Sequence, residues 1–332
     1  MPSRSSLPTA VIERTDGMRV LSSMFVANDG ISDDGIKILE ENGFQVNTKR
    51  VEQNDLITSI NSENYEVLLI RSATTARKEL IDSCPNLKII GRGGVGIDNI
   101  DAEYAKEKGI EVYNTPAASA ISVAELVFSH LLGMVRFLYR SNREMPLEGD
   151  CHFKNLKKSF SGGTEVMNKT LGIIGFGRIG QEVAKRAIGL GMNVLAHDKY
   201  ITEGNITLRF FNKEKKTFTI ETSSLDEVLS NSNFITLHIP KTSNNPIISA
   251  KEIGMMKTGA GIVNVARGGV IDETALMFAL DKGKLAYAGL DVFENEPKPS
   301  IHLLMHNAIS LTPHIGAATI EAQNRIGTEL AE

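Results

Sequence analysis

Short apolar runs alternate along the chain with stretches whose apolar residues recur at helical spacing. The first runs predict β-strands at 20–25, 44–48, 67–71, 88–91 and 111–113. Between them lie amphipathic segments such as Asp33–Asn42, which keeps its apolar residues on one face until Gly43 ends the helix. Strands and helices in alternation build a parallel sheet with helices on both faces. The pattern therefore predicts a first α/β unit that begins near Met18.

A second alternating series begins at Thr170. It predicts strands at 171–174, 193–197, 234–238, 261–264, 286–291 and 308–311, and helices at 178–190, 224–229 and 273–282. Residues 206–222 depart from this rhythm, because two alternating apolar runs flank a charged centre, and they predict an inserted β-hairpin.

A long apolar helix is predicted between the two series. Ser122, with Glu125 three residues later, has the pattern of a capping box, so the helix would run from Ser119 or Ser122 to about Arg143. Its broad apolar stripe is typical of a core or a subunit interface.

Composition and charge narrow the class of protein. A chain of 332 residues suits two domains, and its net charge of −4 gives no reason to expect a nucleic-acid or membrane partner. Only two cysteines are present, which argues against a disulfide framework and favours a cytoplasmic location. Residues 1–17 are rich in serine and proline, and Glu13 and Asp16 disfavour an organelle transit peptide, so we expect a disordered extension.

The segment 175–180 reads Gly-Phe-Gly-Arg-Ile-Gly, after a predicted strand and at the start of a predicted helix. Its first glycine permits a tight turn, the second lets a pyrophosphate approach the backbone, and the third lets helix and strand pack closely. Asp198 ends the next strand, where a carboxylate would accept hydrogen bonds from ribose hydroxyls and repel a 2′-phosphate. The alternative is an ordinary turn between a strand and a helix that binds no nucleotide. The pattern predicts an NAD site formed by Gly175, Gly177, Arg178, Ile179, Gly180 and Asp198.

Three later loops each follow a predicted strand and carry an ionisable side chain: Arg267, Glu296 and His314. Loops at the carboxyl ends of parallel strands converge on one crevice. A histidine can accept a hydroxyl proton, a carboxylate can fix its tautomer, and the planar fork of arginine can bind a substrate carboxylate. Each residue alone could be structural, but beside a nicotinamide the three together predict hydride exchange with a small hydroxy acid.

These loops, the glycine segment and the tripeptide at 238–240 resemble the D-isomer-specific 2-hydroxyacid dehydrogenase family, from Met18 to the end of the chain. The resemblance implies an α/β protein of two doubly wound parallel-sheet domains with a cleft between them. A flavodoxin-like substrate-binding domain would comprise 18–116 and 315–332, and a Rossmann NAD-binding domain would comprise 117–314. A homodimer or homotetramer formed through the NAD-binding domain is also implied.

Carried over residue by residue, the resemblance makes His314 the acid/base, Glu296 its carboxylate partner and Arg267 the anchor of the substrate carboxylate. Asp291 would hold the nicotinamide carboxamide. Further cofactor contacts are implied for His238, Ile239, Pro240, Ala266, Arg267, His314 and Gly316. No metal is expected.

The first unit bears on the choice of hydroxy acid. The segments 70–74 and 91–101 resemble the D-3-phosphoglycerate dehydrogenase members of the family most closely. In that group the residues matching Arg71 and Arg92 face the phosphate end of the substrate, which needs a cationic pocket in an acidic protein. The resemblance thus implies oxidation of 3-phosphoglycerate to 3-phosphohydroxypyruvate in serine biosynthesis, by a short form without a regulatory domain. The expected substrate contacts are Arg71, Ser72, Arg92, Gly94, Val95, Arg267 and His314, with the backbone amides of Gly94 and Val95 assisting Arg267.

Two alternatives stay open. A glyoxylate or hydroxypyruvate reductase of the same family would share this architecture and could retain Arg71, so Arg92 discriminates better between the substrates. A protein of another class, an NAD-sensing corepressor, has the same fold and the same three residues. Against it, the chain has no added peptide-docking region and no long polar tail.

Overall fold

The computed structural model of the protein describes residues 23–241, 243 and 245–332. The predicted extension at 1–17 and the start of the predicted strand at 20–25 lie outside these residues. The described chain forms two α/β units, each built on its own parallel sheet, and the predicted fold class is confirmed.

Within residues 23–332 as described, the first sheet has five strands in the order β2-β1-β3-β4-β5, all of them parallel. This is the flavodoxin-like order. The strands are β1 (Met24–Ala27), β2 (Gln45–Asn47), β3 (Val67–Ile70), β4 (Ile89–Arg92) and β5 (Glu111–Asn114). The helices are α1 (Asp33–Glu41), α2 (Leu56–Ser62), α3 (Lys78–Ser83) and α4 (Ala102–Glu107). Ser32 caps α1 by accepting a hydrogen bond from Gly35 N, and Gly43, with φ of 87°, follows its end as predicted.

The second sheet has six parallel strands in the order β13-β12-β11-β10-β6-β7. They are β6 (Thr170–Ile174), β7 (Asn193–His197), β10 (Phe234–Leu237), β11 (Ala260–Asn264), β12 (Leu285–Leu290) and β13 (Ile309–Leu311). A parallel bridge between Ala196 and Thr222 adds one more pairing beyond β7. With that bridge counted as the third strand, the order is 3-2-1-4-5-6-7, which is the Rossmann order 3-2-1-4-5-6 with one more strand, β13, at its end. Strands β10 and β11 are buried on both faces, which explains their continuous apolar sequences.

The predicted hairpin is present as β8 (Glu203–Arg209) and β9 (Lys215–Glu221), which pair antiparallel. Ile206 is fully buried and belongs to the same apolar cluster as Phe176 of the glycine segment. The base of the hairpin is therefore anchored in the core, whereas the tip at Phe210 and Phe211 is exposed.

Among the described residues, nine helices belong to the second unit or to the chain's return to the first unit. They are α5 (Ala120–Val135), α6 (Leu138–Glu148), α7 (Phe153–Ser159), α8 (Arg178–Gly189), α9 (Leu225–Asn231), α10 (Ala250–Met255), α11 (Glu273–Asp281), α12 (Ile301–Leu304) and α13 (Ile320–Ala331). α13 packs on α1, and the two helices approach so closely that a Cβ on Gly35 would lie 2.6 Å from the carbonyl oxygen of Gly327. The chain thus crosses between the units twice, before α5 and before α13.

The prediction of one long helix to about Arg143 is wrong, because the chain breaks at Phe137. This residue has φ of 55°, and α5 and α6 meet at an angle of 55°. The predicted capping box is wrong as well. Ser122 lies inside α5, where its hydroxyl donates to the carbonyl of Gly316 at 2.7 Å. The apolar stripe of α5 is part of the protein's own core.

Among the described residues, no single helix is both long and apolar enough to cross a membrane. α5 and α6 together meet the length and composition for a span, but only as a bent pair.

Candidate active site

The glycine segment forms the turn between β6 and α8. Gly175 has φ of 96°, and a Cβ there would lie 2.4 Å from the carbonyl oxygen of His238. A Cβ on Gly180 would lie 2.2 Å from the carbonyl oxygen of Gly175, so this glycine is required for packing within the turn. At Gly177, in contrast, a Cβ would meet no described atom within 4 Å. Open space therefore faces the N-terminus of α8, where a dinucleotide pyrophosphate fits.

Asp198, at the end of β7, holds the turn in place. One carboxylate oxygen accepts from Phe176 N at 2.7 Å, and the other accepts from Tyr200 N and Ile201 N at 2.8 and 3.0 Å. Burial opposes ionisation here, but these backbone donors outweigh it and keep the pKa of Asp198 below its usual value. An ionised carboxylate at this place suits ribose hydroxyls and disfavours a 2′-phosphate.

The predicted loop at 238–240 lies against the glycine turn. Nε2 of His238 is 3.0 Å from the hydroxyl of Thr236, and its Nδ1 is buried without a hydrogen-bond partner among the described atoms. Burial lowers the pKa of His238 to about 3, so the imidazole is neutral. Ile239 borders the turn through its side chain, and Pro240 is exposed.

His314 and Glu296 form the contact that the sequence predicted. Nδ1 of His314 lies 2.8 Å from Oε2 of Glu296, and both side chains are partly open to solvent. The other oxygen of Glu296 accepts from Phe293 N at 3.0 Å, which fixes the carboxylate. Since Nδ1 faces the carboxylate, Nε2 is the nitrogen that remains for a substrate hydroxyl.

Arg267 reaches from the second unit to the first. Its Nε donates to the carboxylate of Asp98 at 2.9 Å, and one terminal nitrogen donates to the carbonyl of Ala266 at 2.7 Å. A Cβ on Gly96 would lie 1.6 Å from the other terminal nitrogen, so the guanidinium lies directly on the loop after β4. Asn264 fixes the loop that carries Arg267 by donating to its carbonyl.

Arg92 contributes a second guanidinium beside the same glycine loop. A Cβ on Gly94 would lie 1.7 Å from a terminal nitrogen of Arg92, and its buried Nε has no partner among the described atoms. Burial, and then the positive charges of Arg267 and Arg71, lower the pKa of Arg92 to about 10. Two further guanidinium groups and the carboxylates of Asp98 and Asp29 therefore act on Arg92, and the surplus of positive charge suits an anion.

The sequence did not reveal which residues hold the loop 71–74 in place. The carboxylate of Asp29 accepts from Arg71 N, from Thr74 N and from the hydroxyl of Thr74 at 2.7 to 3.0 Å. Asn99 donates to the carbonyls of Arg71 and Thr74 on the other side. Ser72 is exposed within this loop. Polar residues are common just after a strand, and nothing in the sequence around Asp29 indicated that its carboxylate holds this loop.

Two predicted contacts look different in the structure. The amide of Gly94 donates to the hydroxyl of Thr115 at 2.7 Å, so the prediction that this amide assists the substrate carboxylate does not fit the structure. Val95 next to it is exposed. Asp291 is 1% exposed, and its carboxylate accepts from Thr312, Ile315 and Gly316. A nicotinamide carboxamide would have to use its remaining lone pair.

Among the described residues, no group of three His, Cys, Asp or Glu side chains is arranged to hold a metal ion. The predicted site residues nevertheless lie at the carboxyl ends of the strands of both sheets. The glycine turn, the 238–240 loop and the three loops carrying Arg267, Glu296 and His314 share the edge of the second sheet.

Comparison with known proteins is consistent with this geometry. Residues 128–316 match the family model described as D-isomer specific 2-hydroxyacid dehydrogenase, NAD binding domain. A hydroxypyruvate reductase from Thermotoga maritima is 43% identical over 92% of this chain and 95% of its own length. A D-3-phosphoglycerate dehydrogenase from Methanocaldococcus jannaschii is 41% identical over 92% of this chain and 56% of its own length. The chain thus spans about half the length of several phosphoglycerate dehydrogenases that it matches.

A solved structure shares both units. The NAD⁺-bound 3-phosphoglycerate dehydrogenase of Entamoeba histolytica superimposes with a TM-score of 0.73 and 27% identity, covering 93% of each chain.

Proposed function

Because the chain belongs to the D-isomer-specific 2-hydroxyacid dehydrogenase family and carries its NAD-binding domain, we propose that it oxidises D-3-phosphoglycerate to 3-phosphohydroxypyruvate. The observation that carries the choice of substrate is the cluster of Arg71, Arg92 and Arg267 around one glycine loop. Arg267 suits the carboxylate of the substrate. Arg92, with an unpartnered Nε, and Arg71 suit a second anionic group at its far end.

His314 supplies the acid/base step in this proposal. In oxidation, the proton of the 2-hydroxyl passes to Nε2 of His314, and Glu296 at Nδ1 stabilises the imidazolium that forms. The glycine turn and Asp198 would hold NAD⁺, which would supply the hydride acceptor for carbon 2. Arg267 keeps the carboxylate fixed while carbon 2 becomes planar. The reverse direction uses the same groups with the proton returned.

Hydroxypyruvate is the second candidate substrate, because the relative from Thermotoga maritima matches the chain along 95% of its own length. The two candidate oxo acids differ only by the phosphate group. We therefore expect Arg71 and Arg92 to determine which of the two oxo acids binds more tightly.

A substrate panel tests the proposal. The oxidation of NADH and of NADPH is followed at 340 nm with phosphohydroxypyruvate, hydroxypyruvate and glyoxylate. We expect the highest kcat/KM with phosphohydroxypyruvate and NADH. A higher value with hydroxypyruvate would replace the phosphorylated substrate by the second candidate. Tight NADH binding without turnover of any oxo acid would leave a sensing protein instead.

We also propose that the protein forms a homodimer through the NAD-binding domain. α6 buries no residue within the chain, and apolar side chains of α6 and α7 face solvent: Leu138, Met145, Leu147 and Phe153. An apolar surface of this kind on a monomer is typical of a protein interface.

A further inference from the structure

A buried histidine that the proposed chemistry does not use lies beneath the loop of His314. His130 is in the middle of α5 and is 2% exposed. Its Nδ1 is 2.9 Å from the hydroxyl oxygen of Ser310, and its Nε2 is 3.0 Å from the hydroxyl oxygen of Thr312. Burial lowers the pKa of His130 to about 4, so at neutral pH the ring carries one N–H donor and one acceptor.

The direction of these hydrogen bonds follows from Asp291. The hydroxyl of Thr312 donates to Oδ1 of Asp291 at 2.6 Å, so its oxygen is left to accept from His130. The proton of the ring is then on Nε2, and Nδ1 accepts from the hydroxyl of Ser310. A chain of hydrogen bonds thus runs in one direction, from His130 through Thr312 to Asp291.

Asp291 in turn binds the loop of the acid/base residue at three points. Its carboxylate accepts from Ile315 N at 2.8 Å and from Gly316 N at 2.9 Å, and its carbonyl accepts from His314 N at 2.8 Å. His314 itself has φ of 55°, a left-handed conformation that a residue other than glycine adopts only when its surroundings hold it there.

We propose that His130 is a positioning residue for His314. By keeping the hydroxyl of Thr312 directed at Asp291, it fixes the loop that holds the imidazole of His314 against Glu296. The neighbouring strand leaves room for this ring, because a Cβ on Gly289 would lie 2.8 Å from the Cβ of His130. The inference rests on the proposed acid/base role of His314.

The hydroxyl of Thr312 is the link to test. Thr312→Val keeps the shape of the side chain and removes the hydroxyl, and Thr312→Ser restores it. We expect Thr312→Val to lower kcat about tenfold or more, because His130 and Asp291 both lose a buried partner. The KM for the oxo acid and the Kd for NADH should change less than about threefold. Thr312→Ser should recover most of kcat.

Ser310→Ala is the matched control, since it removes the bond to the other ring nitrogen and leaves the chain to Asp291 intact. Its kcat should stay within about twofold of the wild type. All assays are run below the unfolding temperature of each variant. Should Thr312→Val not fold, His130→Gln, which keeps an N–H donor, is compared with His130→Met, which has none, and Gln should be the faster.

Three results would overturn the inference: a wild-type kcat in Thr312→Val with only a lower Tm, an equally slow Thr312→Ser, or an equally slow Ser310→Ala. His314→Ala is measured in parallel. A wild-type kcat in that variant would remove the acid/base role itself, whereas an inactive His314→Ala beside an active Thr312→Val would remove only the role of His130.

Discussion

At the scale of single residues, the proposed acid/base pair depends on a short distance and a fixed tautomer. The carboxylate of Glu296 is held by Phe293 N and meets Nδ1 of His314, which leaves Nε2 for the substrate. The proposed anion site depends on charge instead. Arg92 is partly buried beside the cations Arg71 and Arg267, whose effect on it the carboxylates of Asp98 and Asp29 offset only in part.

His314→Ala should lower kcat by about 10²- to 10⁴-fold, because the hydroxyl proton loses its acceptor. The Kd for NADH, measured by fluorescence titration, should change less than about threefold, since the glycine turn is untouched. His302→Ala, at an exposed position on α12, is the control and should retain full activity. A comparable loss in the control would show that the assay reports general damage.

Arg92→Met should raise the KM for phosphohydroxypyruvate about 10- to 100-fold, because a charge-assisted hydrogen bond to phosphate is lost. The KM for hydroxypyruvate should rise much less. Arg50→Met removes an exposed ion pair with Glu52 and serves as the control for loss of positive charge. Equal changes for both oxo acids would argue against a phosphate at Arg92.

The sequence indicated these residues because each follows a strand end with a characteristic neighbourhood. It could not indicate Thr115, which takes up the Gly94 amide, or His130, which reads as one more residue of an apolar helix. Their roles depend on contacts with residues that are distant in the chain. Thr115 is 21 positions from Gly94, and His130 is 180 positions from Ser310.

At the scale of elements, the glycines of the turn between β6 and α8 have different roles. Some permit close packing, and one leaves open space in front of α8. Gly180 touches the carbonyl of Gly175, whereas Gly177 faces no described atom within 4 Å. The same substitution should therefore have different effects at the two positions.

Gly177→Ala should leave Tm nearly unchanged and raise the Kd for NADH about tenfold or more, because its methyl group would occupy the path of the pyrophosphate. Gly180→Ala should instead lower Tm, because the new Cβ meets a carbonyl oxygen. Thermal unfolding without cofactor and NADH titration distinguish the two. An unaltered Kd in Gly177→Ala would place the pyrophosphate elsewhere.

The break between α5 and α6 shows where element prediction fails. The nearest glycine, Gly133, lies a full turn before Phe137 inside α5, the nearest proline is Pro146 within α6, and helical periodicity continues through Phe137. In the structure its ring lies 5.9 Å from that of Phe160 and 6.3 Å from that of Tyr287. We attribute the left-handed conformation to these tertiary contacts, which no local pattern reveals. The predicted bounds of the strands agree better with the structure than those of this helix, because the apolar runs of the strands are bounded by glycine and polar residues.

At the scale of the whole molecule, an ion pair links the two units. The ion pair of Arg267 with Asp98 joins the loop after β11 to the loop after β4.

The free energy of unfolding should fall as the pH drops from about 6.5 to about 4. His130 has a folded pKa of about 4, against an ordinary value of 6.5. Below pH 6.5 the unfolded chain therefore binds a proton that the folded chain does not, and acid favours unfolding. His130 should contribute about 2 kcal/mol of this loss between pH 7 and pH 5. His238 acts in the same direction.

Urea unfolding of the wild type and of His130→Gln at pH 7 and pH 5 measures this contribution. The variant should lose less stability than the wild type over that interval. An identical loss in both proteins would mean that His130 is protonated in the folded state.

Leu147→Glu should shift the protein from dimer towards monomer, because it places a charge on the exposed apolar surface of α6. Size-exclusion chromatography with light scattering measures the mass. Ile320→Glu, at an equally exposed position at the start of α13, is the control and should leave the mass unchanged. A dimeric Leu147→Glu would place the interface on another surface.

The hairpin of β8 and β9 makes the molecule unusually easy to tag. Glu203 and Glu221 face each other across the ladder, so the two ends of the insertion are adjacent and β7 and α9 do not depend on its length. Only its lower half, with Ile206, is tied to the core. The segment from Phe210 to Glu214 could therefore be replaced by a fluorophore-binding or immobilisation peptide without disturbing the core.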